Sequence, residues 1–190
     1  MSGTSAQGDY TIKVNPEVRL VIVTGGPGAG KTTLCRRLYG NLPKNWRFVP
    51  LDNFLGLALR NPNLGDWPDV TIRLAEVCLN YWKDEKVYNV LTEGVVRNPN
   101  HVSRLAESFG MRWPSAVVRV LQLARKVETA RVRRKEMGEW DPPLPSGMTR
   151  EAAFASLETR TPGAIPGARV IDTDPLSEEK VYETAVGHLV

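Results

Sequence analysis

Two cysteines in 190 residues are too few for a disulfide framework. Cys35 and Cys78 fall far apart on predicted helices, so two free thiols are expected rather than a bridge or a metal pair. That usage implies a reducing, cytoplasmic setting. No run of about 18 apolar residues occurs, which excludes a conventional membrane-spanning helix. The opening "MSGTSAQGDYT" is small and polar and lacks the apolar centre of a signal peptide. Residues 1–14 are therefore read as a flexible tail and residues 15–190 as one domain. Internal repeats and low-complexity blocks are also missing, which removes solenoids and disordered tracts from consideration.

What remains is an ordinary globular balance, 42% apolar and 24% charged, with a formal net charge of +4. The excess of cations has two readings. One is a nucleic-acid partner. The other is a local need for cations at a phosphate-handling site, as in "RKVETARVRRKE", which holds Arg125, Lys126, Arg131, Arg133, Arg134 and Lys135.

Short apolar runs alternate with helical patterns along the chain. "VRLVIV" (18–23), "RFVPLD" (47–52), "VYNVL" (87–91), "AVVRVLQLA" (116–124) and "RVID" (169–172) read as strands. Between them, residues 31–39 read as a helix with Leu34 and Leu38 inward. Asp69 caps a second, and Asn98 to Gly110 frames a third. A basic helix over about 127–137 precedes "GEWDPPLPSGM", whose prolines and glycines preclude regular structure. Asp174-Pro175 is expected to cap and open the last helix. Strands of this kind, alternating with helices, predict an α/β fold: three layers around a five-stranded parallel sheet. Ligands bind at the carboxyl ends of such strands. That edge would gather the loop after the first strand, Asp52 and Glu93.

The loop carries the strongest signal. In "VTGGPGAGKTTL", Gly25, Gly30, Lys31 and Thr32 fit G-x-x-x-x-G-K-[ST], between a strand and a helix. Its glycines allow backbone N–H groups to converge on phosphate oxygens, and the helix N-terminus adds partial positive charge. Gly26, Pro27, Gly28, Ala29, Gly30, Lys31, Thr32 and Thr33 are therefore assigned to a nucleoside triphosphate. Lys31 would reach the β and γ phosphates, and Thr32 would ligate Mg²⁺. An N-K-x-D base reader of GTPases is missing. The chain is short for a motor, and its basic helix with a proline-rich loop (about 126–148) suits a lid over a transferring phosphate.

The segments "GGPGAGKTTLCRRL", "RFVPLDNFL", "NVLTEGVVRN", "ARVRRKE" and "RVIDTD", in that order from about residue 18 to the end, resemble the small P-loop kinases. That group includes chloramphenicol phosphotransferase, zeta-toxin-like kinases and the kinase part of polynucleotide kinases. The resemblance implies a P-loop kinase fold with a helical lid, and ATP with Mg²⁺ as cofactors. It also puts Asp52 at the position of the base that accepts the acceptor's proton; the alternative is a turn cap with Asn53. Glu93 stands where the group usually has Asp. It is expected to hold Mg²⁺, to contact the acceptor, or to pair with Arg97, which itself faces the acceptor. Arg131 and Arg134 share one helix face and match the lid arginines that stabilise the transferring group, unless that face is only a solvated one. Asp172 and Thr173 border the adenine pocket in the resemblance, and Arg125 is placed to approach the base or phosphates. Phe54, Leu57 and Trp67 either line the acceptor site or belong to the core.

Three functions are open from sequence. The first is phosphorylation of a hydroxyl on a small molecule such as an antibiotic or nucleoside. The second is phosphorylation of nucleic acid, at a 5′-hydroxyl or a hydroxymethylated base. The third is a nucleotide-dependent switch. Oligomeric state is not encoded in any motif.

Overall fold

The computed structural model describes residues 11–51, 73, 89–94, 96, 99–110, 117–126, 128–129, 132 and 163–190. Among these, five strands and three helices follow in this order: β1 (Val18–Gly25), α1 (Lys31–Asn41), β2 (Trp46–Pro50), β3 (Asn89–Glu93), α2 (Pro99–Gly110), β4 (Val117–Ala124), β5 (Arg169–Asp172) and α3 (Glu178–Leu189). The strands form one sheet in the order β2-β3-β1-β4-β5. Every pairing is parallel, as the unbroken apolar runs predict.

β1 runs through the middle of the sheet because both of its faces are apolar. Val21 and Val23 point to one side, where they meet Leu34, Leu38, Leu121, Val181 and Ala185 beneath α1 and α3. Leu20 and Ile22 point to the other side, where they meet Val90, Val120 and Leu105 of α2. The alternation of a strand thus splits one sequence run between two cores. Each fully buried Leu or Ile in them contributes roughly 1.5–3 kcal/mol. Trp46, at the start of β2, belongs to the first of these cores and is 2% exposed.

Several boundaries differ from the sequence reading. The third strand runs past its expected end at Leu91, to Glu93. Thr92 and Glu93 continue the ladder, paired with Ile22 and Val23 on one side and with Val49 and Pro50 on the other. Their polar side chains end the apolar pattern, but backbone pairing on both sides carries the strand on. The Thr92 hydroxyl also donates to Val49 O at 2.7 Å.

The last helix does not open at Asp174-Pro175. Its N-cap is Ser177, whose hydroxyl accepts from Lys180 N at 3.3 Å. The Asp174 carboxylate is already engaged, accepting from Lys126 N at 2.8 Å. The assignment of residues 1–14 to a tail also needs correction at its end. Ile12 is fully buried, and its N–H donates to Asn41 O at 2.7 Å. None of the described helices is long and apolar enough to cross a membrane.

Candidate functional site

The phosphate-loop candidate lies between the end of β1 and the start of α1, with β3 and β4 on either side. Gly25 closes β1 against β4, and a Cβ there would lie 2.5 Å from Leu123 O. Only a residue without a side chain allows this approach. Gly30 is the N-cap of α1 in the left-handed region, φ 90° and ψ 14°, with no side-chain cap bond. No side chain caps this end, so the positive end of the helix borders the loop. Lys31 is largely buried, and its ammonium donates to Gly26 O at 3.0 Å. The lysine thus lies across its own loop, in position to meet phosphate there.

Glu93, at the end of β3, is 4% exposed. The Thr32 hydroxyl donates to Glu93 Oε2 at 3.2 Å. Sixty-one positions separate them in sequence; the β1–β3 pairing brings them together, since Val23 lies opposite Glu93. The neighbourhood is electrostatically coupled. Burial pushes the Cys35 thiol up, Glu93 raises it further, and Lys31 opposes both. Cys35 is a free, buried thiol of α1, as expected; Cys78 lies outside the described residues.

Past β3 the backbone is pinned on both sides. Leu51 N donates to Glu93 O at 2.7 Å, Gly94 N to Val23 O at 3.2 Å, and the Thr24 hydroxyl to Val96 O at 3.0 Å. Leu51 is 1% exposed. The chain is therefore held beside Glu93 up to the residue before Asp52.

A second set of contacts joins the ends of β4 and β5. Thr173 N and the Thr173 hydroxyl both donate to Ala124 O, at 2.9 and 3.0 Å. Arg125 Nε donates to the Thr173 hydroxyl at 3.0 Å, and Nη2 to Thr173 O at 3.2 Å. The Arg125 side chain is 3% exposed and lies 3.7 Å from Asp174. Gln122 holds the preceding loop by bonds to Gly163 O and Ile165 N, at 2.9 and 3.1 Å. These contacts shape a cavity that runs from Ala29, Gly30 and Thr33 past Arg125 and Thr173 to Arg37 and Tyr182.

The fold thus brings together Gly26, Pro27, Gly28, Ala29, Gly30, Lys31, Thr32 and Thr33 with Glu93. Asp172 does not join them. It is exposed, and its carboxylate accepts from Asp174 N at 3.1 Å; its neighbour Thr173 lines the cavity instead. Asp52, Phe54, Arg97, Arg131 and Arg134 lie outside the described residues, as does most of the segment read as a lid. Arg37 and Tyr182 were not singled out in sequence. The signal was present in the helical spacing of Gly30, Thr33 and Arg37.

Mg²⁺ at triphosphate sites is held by one or two protein oxygens together with substrate phosphates rather than by a protein cage. Among the described residues no three His, Cys, Asp or Glu side chains cluster as a cage. The Thr32 hydroxyl and Glu93 carboxylate, 3.2 Å apart beside the loop, are hard oxygen donors of the kind Mg²⁺ takes.

No protein-family model matches the sequence, and no curated protein matches it. Solved structures do match in fold. A sugar kinase from Janibacter sp. HTCC2649 is 19% identical with a TM-score of 0.62, over 90% of this chain and 94% of that one. The tunicamycin resistance protein of Deinococcus radiodurans is 22% identical, TM-score 0.55, over 89% and 94%. Kti12 of Chaetomium thermophilum, solved with ADP-AlF3, is 15% identical, TM-score 0.56, over 90% and 99%. A parallel sheet in the order β2-β3-β1-β4-β5, with a glycine loop between its central strand and first helix, is the fold of the P-loop kinases.

Proposed function

We propose that the protein is a kinase that transfers the γ-phosphate of ATP, with Mg²⁺, to a hydroxyl group of a small molecule. The observation that carries this reading is the Thr32–Glu93 contact at 3.2 Å beside the loop crossed by Lys31. A phosphate cradle alone fits many nucleotide-binding proteins. A cradle with an oxygen pair suited to Mg²⁺ and a neighbouring cavity fits a donor site for phosphoryl transfer.

Loop N–H groups and the Lys31 ammonium hold the β and γ phosphates, and the cavity beside Thr33, Arg125 and Thr173 takes the base. Thr32 and Glu93 would hold Mg²⁺, which when bound would supply positive charge to offset that of the phosphates. Asp52 follows the pinned Leu51 and takes the proton of the acceptor hydroxyl. The acceptor oxygen then bonds to the γ phosphorus, the bond to the β–γ bridging oxygen breaks, and ADP leaves. Arg131 and Arg134 spread charge from the transferring group. Phe54 and Arg97 are assigned to acceptor binding.

We read the acceptor as small by analogy with the sugar kinase and the tunicamycin resistance protein that share the fold. One cation that a nucleic-acid acceptor could use is Arg119 of β4. Arg119 pairs with Val21, four residues before the loop end of β1, or roughly 13 Å away along the strand. It therefore sits away from the donor site. The test is transfer of labelled γ-phosphate to pooled small hydroxyl compounds and, separately, to 5′-hydroxyl and hydroxymethylated oligonucleotides. Label in the small-molecule pool alone supports the proposal; label in oligonucleotide alone replaces it with the nucleic-acid reading.

A further inference from the structure

The cavity has a far wall that the glycine loop does not explain. Gly30, Thr33, Leu34 and Arg37 follow one another along a single face of α1, and all four line the cavity. The opposite wall comes from α3 through Val181 and Tyr182. Seven helical positions set Arg37 about 10 Å beyond Gly30. The cavity beside Gly30 continues in that direction.

Arg37 is held before any ligand arrives. Its Cζ lies 4.0 Å over the centre of the Tyr182 ring. Nη2 donates to Glu179 Oε2 at 2.6 Å. The two side chains of this ion pair are 39% and 60% exposed, a setting in which such pairs contribute little to stability. The contacts instead restrict the guanidinium to one pose, so that less side-chain freedom is lost when it meets a ligand. A guanidinium carries five N–H donors and no acceptor. Among the described residues Glu179 takes one. The remaining donors match the acceptor ring nitrogens of adenine, and the planar group also stacks on aromatic rings.

We propose that Arg37, fixed on Tyr182 and Glu179, contacts the base of the donor nucleotide and sets how strongly the site prefers a nucleotide over its bare triphosphate. This rests on the nucleotide-binding reading above.

The test is calorimetric titration of the full chain, with Mg²⁺, by ATP and by inorganic tripolyphosphate, which engages the loop and has no base. Arg37→Met is expected to weaken ATP by about tenfold and to change tripolyphosphate by less than about twofold. Arg37→Lys keeps the charge and the reach to Glu179 but loses the planar fork, so it is expected not to restore ATP affinity. Thermal unfolding checks that the variants fold; if Arg37→Met does not, Arg37→Lys carries the test. Unchanged ATP affinity in Arg37→Met, an equal loss of both ligands, or full rescue by Arg37→Lys overturns the proposal. Lys31→Met separates the two readings. If it loses both ligands while the Arg37 variants lose neither, only the role of Arg37 fails. If the unaltered protein binds neither ligand, the nucleotide reading fails and the role of Arg37 with it.

Discussion

The Thr32 hydroxyl donates to the Glu93 carboxylate across 3.2 Å, tying the start of α1 to the end of β3. The two residues meet only because β3 pairs directly with β1. If this pair holds Mg²⁺, Thr32→Ala and Glu93→Gln should each weaken Mg²⁺-dependent activation about 10- to 100-fold. The check is the Mg²⁺ dependence of ATP affinity and of turnover in each variant. A dependence identical to that of the unaltered protein would remove the metal role from both residues.

Asp52 follows Leu51, whose N–H is fixed on Glu93 O at 2.7 Å. As the proton acceptor, it acts on turnover and not on donor binding. Asp52→Ala should cut kcat by roughly 10²- to 10⁴-fold and leave ATP affinity nearly unchanged. Steady-state kinetics beside calorimetry reads both quantities. Normal turnover in Asp52→Ala would show that the base lies elsewhere.

Gly25 and Gly187 should respond in opposite directions to the same substitution. A Cβ on Gly25, at φ +150°, would sit 2.5 Å from the backbone oxygen of Leu123. Relief requires β1 and β4 to separate, so Gly25→Ala should cost about 1–3 kcal/mol, the scale of overpacking. Gly187 lies within α3, and a Cβ there meets nothing within 4 Å. Gly187→Ala should gain up to about 0.5–1 kcal/mol. Urea denaturation compares the two against the unaltered chain.

Burial lowers the pKa of His188, and the positive charges of Arg119 and Arg169 lower it further. The unfolded chain therefore takes up the proton first as pH falls, and the folded state loses stability from about pH 6.5 downward. Above that range His188 is neutral in both states and makes no difference. His188→Gln should flatten the fall in Tm between about pH 7 and about pH 5. An unchanged slope would assign the acid sensitivity to other groups.

The legible part of the protein was the part written in local chemistry. The run Val18–Val23 announced a strand buried on both faces, and the spacing of Gly25, Gly30, Lys31 and Thr32 announced the loop. Glu93 was visible as a strand-end acid, but its bond to Thr32 depends on which strand neighbours β1, and periodicity within a segment carries no information on strand order. Asp174 was misread for a related reason. Asp before Pro has the local chemistry of a helix start, yet its carboxylate is taken by Lys126, 48 residues away. Ser177 caps α3 instead. Asp172 and Thr173 show the same limit at one position's resolution. Sequence put both at the cavity edge, and the side chain that lines it belongs to Thr173.

The central claim is tested most directly by incubating the purified protein with γ-labelled ATP, Mg²⁺ and pooled hydroxyl compounds, beside Lys31→Met and Glu93→Gln. The account predicts label covalently attached to a hydroxyl in the small-molecule pool, lost in Lys31→Met and strongly reduced in Glu93→Gln. ATP binding without transfer to any hydroxyl, or transfer undiminished in both variants, would contradict it.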